Sequence, residues 1–345
     1  MTRLLHGRFL YILCGLVIML SALSPKHHST RHIAASSSPA PSAQASEWWP
    51  QGLTAETLQR TMTARPLLAM ALSILTGFGV ATMLGGVILT LRDVASGSLR
   101  SLWRAPTRRL PSWSFGDVWR IAVLVLTFAS FLGAMRATAV WRAGGEQPDW
   151  HLWLTVSMLI LDLFAVIVML ALAKGKAPSA AEAVGFSRRS LTGSIPMALR
   201  SYVVAFPWLF LILFAVVQTA HALGFQPPTE PIQELLFEES RPIILGLTAL
   251  LACVVGPVAE ELFFRGVLYP AIRRRTSRFV AMLGSGALFA ASHMNLMGFL
   301  SILFLGCLLA DLYERTGSLA GSLTIHILHN SFLMGLALAF RPFAV

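Results

Sequence analysis

A chain of 345 residues that is 55% hydrophobic and only 12% charged is not an ordinary soluble protein, whose charged fraction is about 25%. It reads as an integral membrane protein. Lys and Arg outnumber Asp and Glu by 27 to 16, a net charge of +11. These bases fall in loops between apolar runs, which argues against a nucleic-acid partner and suits the cytoplasmic ends of membrane helices beside anionic lipid.

Apolar runs approaching the length of a membrane span occur at 9–24, 67–91, 118–141, 152–173, 198–222, 243–264, 279–293, 296–313 and 319–340. They predict an all-α, polytopic transmembrane bundle of about eight or nine membrane helices. The first run follows Arg3 and Arg8 and reads as a signal peptide or a signal anchor. Ala43-Gln44-Ala45 resembles a cleavage site but lies well beyond the apolar stretch, which favours the uncleaved anchor over residues 1–24. Residues 25–66 are Ser/Ala/Pro-rich between Ser36 and Ala45 and read as an extracytoplasmic linker.

Three loops are basic: 92–117 with Arg92, Arg100, Arg104, Arg108 and Arg109; 174–200 with Lys174, Lys176, Arg188, Arg189 and Arg200; and the stretch after 264 with Arg265, Arg273, Arg274, Arg275 and Arg278. Between them, 144–151 has no Lys or Arg, and 223–242 carries Glu230, Glu234, Glu238 and Glu239. That alternation puts the basic loops in the cytoplasm. The Trp residues cluster near span ends, as an aromatic belt does. Cys14, Cys253 and Cys307 lie in apolar segments without CxxC spacing and read as inert thiols. No internal repeat suggests an inverted-repeat transporter.

The chemistry-bearing residues gather in the last third of the chain. A charge at membrane depth costs about 2.5–3.5 kcal/mol on insertion scales, so charged residues there mark function. Glu261 and Arg265 are four apart and can pair on one helix face. Glu260 points about 100° away around the helix, with no cation at i+4 or i−4, and is available as a base. His326 and Asn330 share a face of the last helix, with His329 beside them, and their N–H groups can donate to a developing oxyanion. His293 either joins this set or caps a helix end. Asp162 is an intramembrane acid with no obvious partner. The nucleotide-binding GxxxxGK[ST] and GxGxxG patterns, the GxSxG serine elbow and the HExxH zinc motif are all absent.

Glu260-Glu261-x-x-x-Arg265, Phe289-x-x-x-His293 and His326-x-x-x-Asn330, in that order and spacing, resemble the three motifs of the CPBP (Abi, CAAX prenyl protease type II) intramembrane proteases. Phe263, Phe264, Gly266 and Leu268 around the first motif resemble the family too. The resemblance covers roughly 240–340. It divides the chain into family-unlike membrane helices at 67–230 and a protease core at 231–345.

The resemblance implies a glutamic endopeptidase that uses no cofactor and no metal. In it, Glu260 activates water, His293 helps hold that water, His326 and Asn330 stabilise the oxyanion, and Glu261 and Arg265 support them. It also implies a membrane-embedded or lipidated protein or peptide as substrate, and the N-terminal features suit a bacterial inner membrane. Three other readings stay open: a zinc site from Glu260, His293, His326 and His329, a non-catalytic scaffold or immunity protein, and a transporter carrying protons on Glu260 and Asp162. One question of depth also stays open. If the helix holding Glu260 ends near 264, a straight helix from 279 carries His293 about 21 Å inward, past Glu260. Either that helix tilts, or the earlier one continues beyond 265.

Overall fold

The computed structural model describes residues 55–97, 110–145, 149–186, 191–225 and 231–343. The expected anchor at 1–24 and most of the linker lie outside the described residues. The remaining eight apolar runs each fall on one long helix, and no strand occurs among the described residues. In chain order the helices are α1 (Ala55–Ala64), α2 (Pro66–Ala95), α3 (Phe115–Arg142), α4 (Trp150–Leu172), α5 (Ala180–Ala183), α6 (Leu191–Ala222) and α7 (Pro231–Glu238). Then come α8 (Pro242–Arg273), α9 (Arg278–Ser292), α10 (Phe299–Thr316) and α11 (Leu319–Phe340). The stretch expected as linker therefore ends in a helix, α1, separated by Arg65 from α2, which opens on Pro66.

Among the described residues, six helices, α2, α3, α4, α6, α8 and α11, are long and apolar enough to cross a membrane. The other two apolar runs give α9, with 15 residues, and α10, which carries Asp311, Glu314 and Arg315 near its end. The starts are set by local chemistry. Ser114 and Asp117 form a reciprocal capping box on α3, while Asp149, Ser277 and Ser318 cap α4, α9 and α11. Gly317 ends α10 at φ 65°, in the left-handed region where a glycine carries no Cβ penalty.

Helix α10 is central, packed against α9, α6 and α11. Its contact with α9 is made close by glycine: a Cβ on Gly306 would lie 3.0 Å from the Gly286 Cα, so the two backbones touch. One apolar core, with Trp113, Met169, Phe264, Tyr269 and Phe289, joins α3, α4, α8 and α9; a second, with Tyr202, Phe206, Leu309 and Phe332, joins α6, α10 and α11. The outer face of α2 leaves Leu67, Ile74, Ile88 and Leu91 exposed, as a lipid-facing surface should.

The depth question is resolved by α8, which runs for 32 residues to Arg273 and does not end near 264. At 1.5 Å per residue, Glu260 lies about 20 Å from Arg273, and His293 lies about 22 Å from Arg278. Helices α8 and α9 are joined by the short turn 274–277, so the two side chains arrive at matching depth.

At the end opposite the basic loops, charges tie three elements together. Arg241, just before α8, pairs with Asp149 at the start of α4 and donates to Glu239 at 2.8 Å. Glu239 also meets His151 Nδ1 at 3.1 Å, and its main-chain carbonyl accepts from Arg341 after α11. The hydrogen bond from Arg241 is the main reason Glu239 is pushed down to about 2 and Asp149 is held below the usual carboxylate range. Both groups are depressed on folding, so their stabilisation is complete above the ordinary value, 4.5 for Glu239, and is lost as pH falls towards 2. The melting temperature in detergent should therefore drop between those pH values more steeply for wild type than for Glu239→Gln. Equal slopes would show that the cluster does not hold these ends together.

Candidate active site

Helix α8 is not regular. Two π-helical segments, Leu251–Val255 and Leu262–Leu268, flank an α-helical turn, Gly256–Glu261. Wide turns of this kind re-aim side chains and free backbone groups. The first has a visible cause and consequence. In i→i+5 pairing the amide of residue 257 would serve the Ala252 carbonyl, but residue 257 is proline and has no N–H. Asn330 on α11 fills the vacancy, donating from Nδ2 to Ala252 O at 2.9 Å. An orphaned carbonyl here would cost about 1–3 kcal/mol. The Asn330 amide thus spends one N–H on the α8 backbone and keeps a second.

The turn between the π segments sorts the adjacent glutamates. Glu261 is fully buried and accepts from Arg265 Nη1 at 2.7 Å. Arg265, equally buried, donates from Nη2 to Gly306 O at 3.1 Å and lies over the Phe289 ring at 4.3 Å. The same Glu261 oxygen, Oε1, faces His326 Nδ1 at 3.1 Å. Glu260 turns the other way, with its side chain 34% exposed. Its Oε2 lies 3.5 Å from His326 Nε2 and 4.0 Å from His293 Nε2, and makes no hydrogen bond among the described residues.

These contacts fix the imidazoles. The Phe289 carbonyl can only accept, so His293 Nδ1, 2.8 Å away, carries the proton and Nε2 is left facing Glu260. A carboxylate already paired with Arg265 likewise makes His326 Nδ1 the donor. A neutral His326 therefore has no N–H left for an oxyanion, contrary to the simple expectation. Its Nε2 donates only when the ring is an imidazolium, whose charge Glu261 and Glu260 are placed to balance. His293 is also the C-cap of α9, followed by Met294 at φ 52°, so the cap and site readings are both met.

Five of the six expected residues, Glu260, Glu261, Arg265, His293 and His326, come together from α8, the end of α9 and α11; Asn330, one turn beyond His326, contacts instead the Ala252 carbonyl, about two turns before Glu260. His329 does not share their contacts; its Nδ1 meets the Tyr202 hydroxyl at 3.0 Å. Sequence reasoning missed the roles of Ala252 and Gly306, which act through main-chain carbonyls and leave no side-chain signal. Pro257 next to the glutamates was the available clue.

Fold and site together define a polytopic membrane protein with a carboxylate and two imidazoles converging between its apolar helices. Residues 242–332 match the family model of the Rce1-like, type II CAAX prenyl endopeptidases, in agreement with the CPBP resemblance of the motifs. A candidate membrane peptidase of Bacillus subtilis (strain 168), YdiL, is 24% identical over 222 residues, covering 62% of this chain and 85% of that protein. No solved structure matches the chain.

The buried pair yields a stability test. Removing one partner of a desolvated ion pair costs about 3–5 kcal/mol, whereas replacing both by apolar groups is often neutral. Glu261→Met alone should therefore melt well below wild type in detergent, and Glu261→Met with Arg265→Met should recover part of that loss while leaving His326 unanchored. A double variant less stable than the single one would show that the pair is not what is being balanced.

Proposed function

We propose that the protein is a metal-independent intramembrane glutamic endopeptidase. The carrying observation is that Glu260 Oε2 faces the Nε2 atoms of both His293 and His326 at 3.5–4.0 Å, a spacing that a single water can bridge. In this reading Glu260 takes one proton of that water while His293 Nε2 accepts the other O–H and orients it. The resulting hydroxide attacks the scissile carbonyl carbon. Negative charge grows on the carbonyl oxygen, met by Nε2–H of the His326 imidazolium and by the second N–H of Asn330. The C–N bond then breaks and Glu260 returns its proton to the leaving nitrogen.

Glu261 and Arg265 act indirectly, by holding Nδ1 of His326. The membrane protease family of the matching region and the candidate peptidase relative support hydrolysis of a membrane-embedded or lipidated protein or peptide. The bacterial inner membrane, with an N-terminal anchor, linker, family-unlike helices and C-terminal protease core, completes the proposal.

One carboxylate and two imidazoles are also the donors of hydrolytic zinc sites, where a further carboxylate commonly orients a ligating imidazole. Among the described residues, no three His, Cys, Asp or Glu side chains are grouped to hold a metal ion, and chelation separates the two readings. Three measurements test the proposal. Comparing C-termini across the membrane proteome, Glu260→Gln and His293→Ala strains should accumulate uncleaved proteins that wild type processes, at unchanged enzyme abundance. The purified Glu260→Gln enzyme should lose at least about a thousandfold in rate. Processing by that variant at the wild-type rate would remove Glu260 from the chemistry. Purified wild type should keep full activity after exhaustive chelation; loss restored by zinc would select the metal reading.

A further inference from the structure

Between α2, α6 and α10, at the end of the bundle that carries the basic loops, the helices leave a cavity of about 310 Å3. Asp93, Arg200, Asp311 and Arg315 make one end of it ionic, while Val204, Phe304 and Leu308 line the part farther from that end. A second, apolar cavity of about 270 Å3 between α2 and α6 shares Thr90 and Trp208 with the first and reaches Leu211. Together they form one trench, charged at one end and apolar along the rest. Leu91, Trp208 and Leu211 are exposed, so the trench opens sideways towards lipid. Its length follows from the helices. Arg200 and Leu211 on α6, like Phe304 and Arg315 on α10, are eleven residues apart, about 16 Å. That is about half of the hydrocarbon core, the depth of one leaflet.

The ionic end is not closed on itself. Arg200, half exposed, gives only Nη2 to Asp93, at 2.5 and 2.7 Å from its two oxygens. Among the described residues its Nε and Nη1 make no hydrogen bond. Arg315 donates from Nη2 to Ser201 Oγ at 3.1 Å and sets Nε 3.0 Å from Asp311 Oδ2, which leaves Nη1. Asp311 also pairs with Arg278, so its charge is divided between two guanidiniums. Two arginines with spare donors, on the neighbouring helices α6 and α10, thus line a cavity whose remaining walls are apolar.

We propose that this trench holds one anionic phospholipid of the leaflet on the basic-loop side. Its phosphodiester accepts from Arg200 and Arg315, and one acyl chain lies along Trp208 towards Leu211. The two carboxylates narrow the ligand class. A soluble dianion such as inorganic phosphate meets Asp93 and Asp311 and gains nothing from the apolar walls. A phosphodiester carries a single negative charge, which lessens that repulsion, and its hydrocarbon fills the rest of the trench. The lipid joins α2 and α6, which lie outside the family match, to α10 inside it. The site is separate from Glu260 and does not depend on its chemistry.

The test reads Trp208 fluorescence in nanodiscs of the full-length protein, as the difference between wild type and Trp208→Phe. The probes are phosphatidylglycerol and phosphatidylcholine brominated at the same acyl position, each titrated into unbrominated phosphatidylcholine. Bromine quenches an indole only at close approach, so the signal reports a chain in the trench. Half-quenching should need about tenfold less phosphatidylglycerol than phosphatidylcholine. Arg200→Gln, read against its own Trp208→Phe control, should bring the two curves together. Arg200→Lys, which keeps the charge, should retain part of the gap. Coincident curves for wild type would overturn the proposal whatever the variants do, as would a gap unchanged in Arg200→Gln. Soluble glycerol phosphate, a headgroup without chains, should leave the quenching in place. If it relieves the quenching, the site takes free phosphate and the lipid assignment fails.

Discussion

A guanidinium with no water around it must spend its donors on protein, and in this molecule that demand organises the site. Arg265 is fully buried, and its charge is met by Glu261 on its own helix, by the Gly306 carbonyl on α10 and by the Phe289 ring on α9. Pairing Glu261 leaves that carboxylate ionised and able to hold His326 Nδ1. The outward direction of His326 Nε2, and hence what faces Glu260, follows from this chain of contacts. Gly286 and Gly306 are part of the same requirement, because only touching backbones bring a carbonyl of α10 within reach of Arg265. Ion pairs buried like this do little for net stability; here the pair sets orientation.

The irregularity of α8 serves the same end. Sequential glutamates on any helix diverge by about 100°, which separates a buried residue from an accessible one. The π segments on either side then supply what a regular helix would hide: a free carbonyl at Ala252 and, at Gly256, a close approach of Asp162 on α4. Asn330 closes the first of these, so α11 is registered against α8 by a hydrogen bond one turn beyond His326. A side chain that looks purely catalytic in sequence is thus also a structural fastener, and its removal would act through both routes.

Much of this was legible in the sequence. The apolar runs gave the helices because span length and periodicity are local properties, and the separation of Glu260 from Glu261 followed from helical geometry alone. The convergence of Glu260, His293 and His326 came from motif resemblance, since no periodicity relates residues on different helices. Other features needed coordinates. Helix α8 continues nine residues past the expected end at 264 because Arg265 is paired internally, with Glu261 and the Gly306 carbonyl, and so does not mark an interface. The tautomer of His326 depends on a contact 65 positions away in sequence. The place of Asp162 depends on α4 packing against α8, which nothing in its own neighbourhood encodes.

The central claim is that Glu261 holds the Nδ1 proton of His326, so that Nε2 addresses Glu260. Solid-state nitrogen NMR of histidine-labelled protein in bilayers reads this directly, with the His326 signals assigned by their loss in His326→Gln. The account predicts a protonated Nδ1 on His326 across neutral pH, whether the ring is neutral or an imidazolium, and loss of that preference in Glu261→Ala. A neutral ring carrying its proton on Nε2, unaffected by Glu261→Ala, would contradict it.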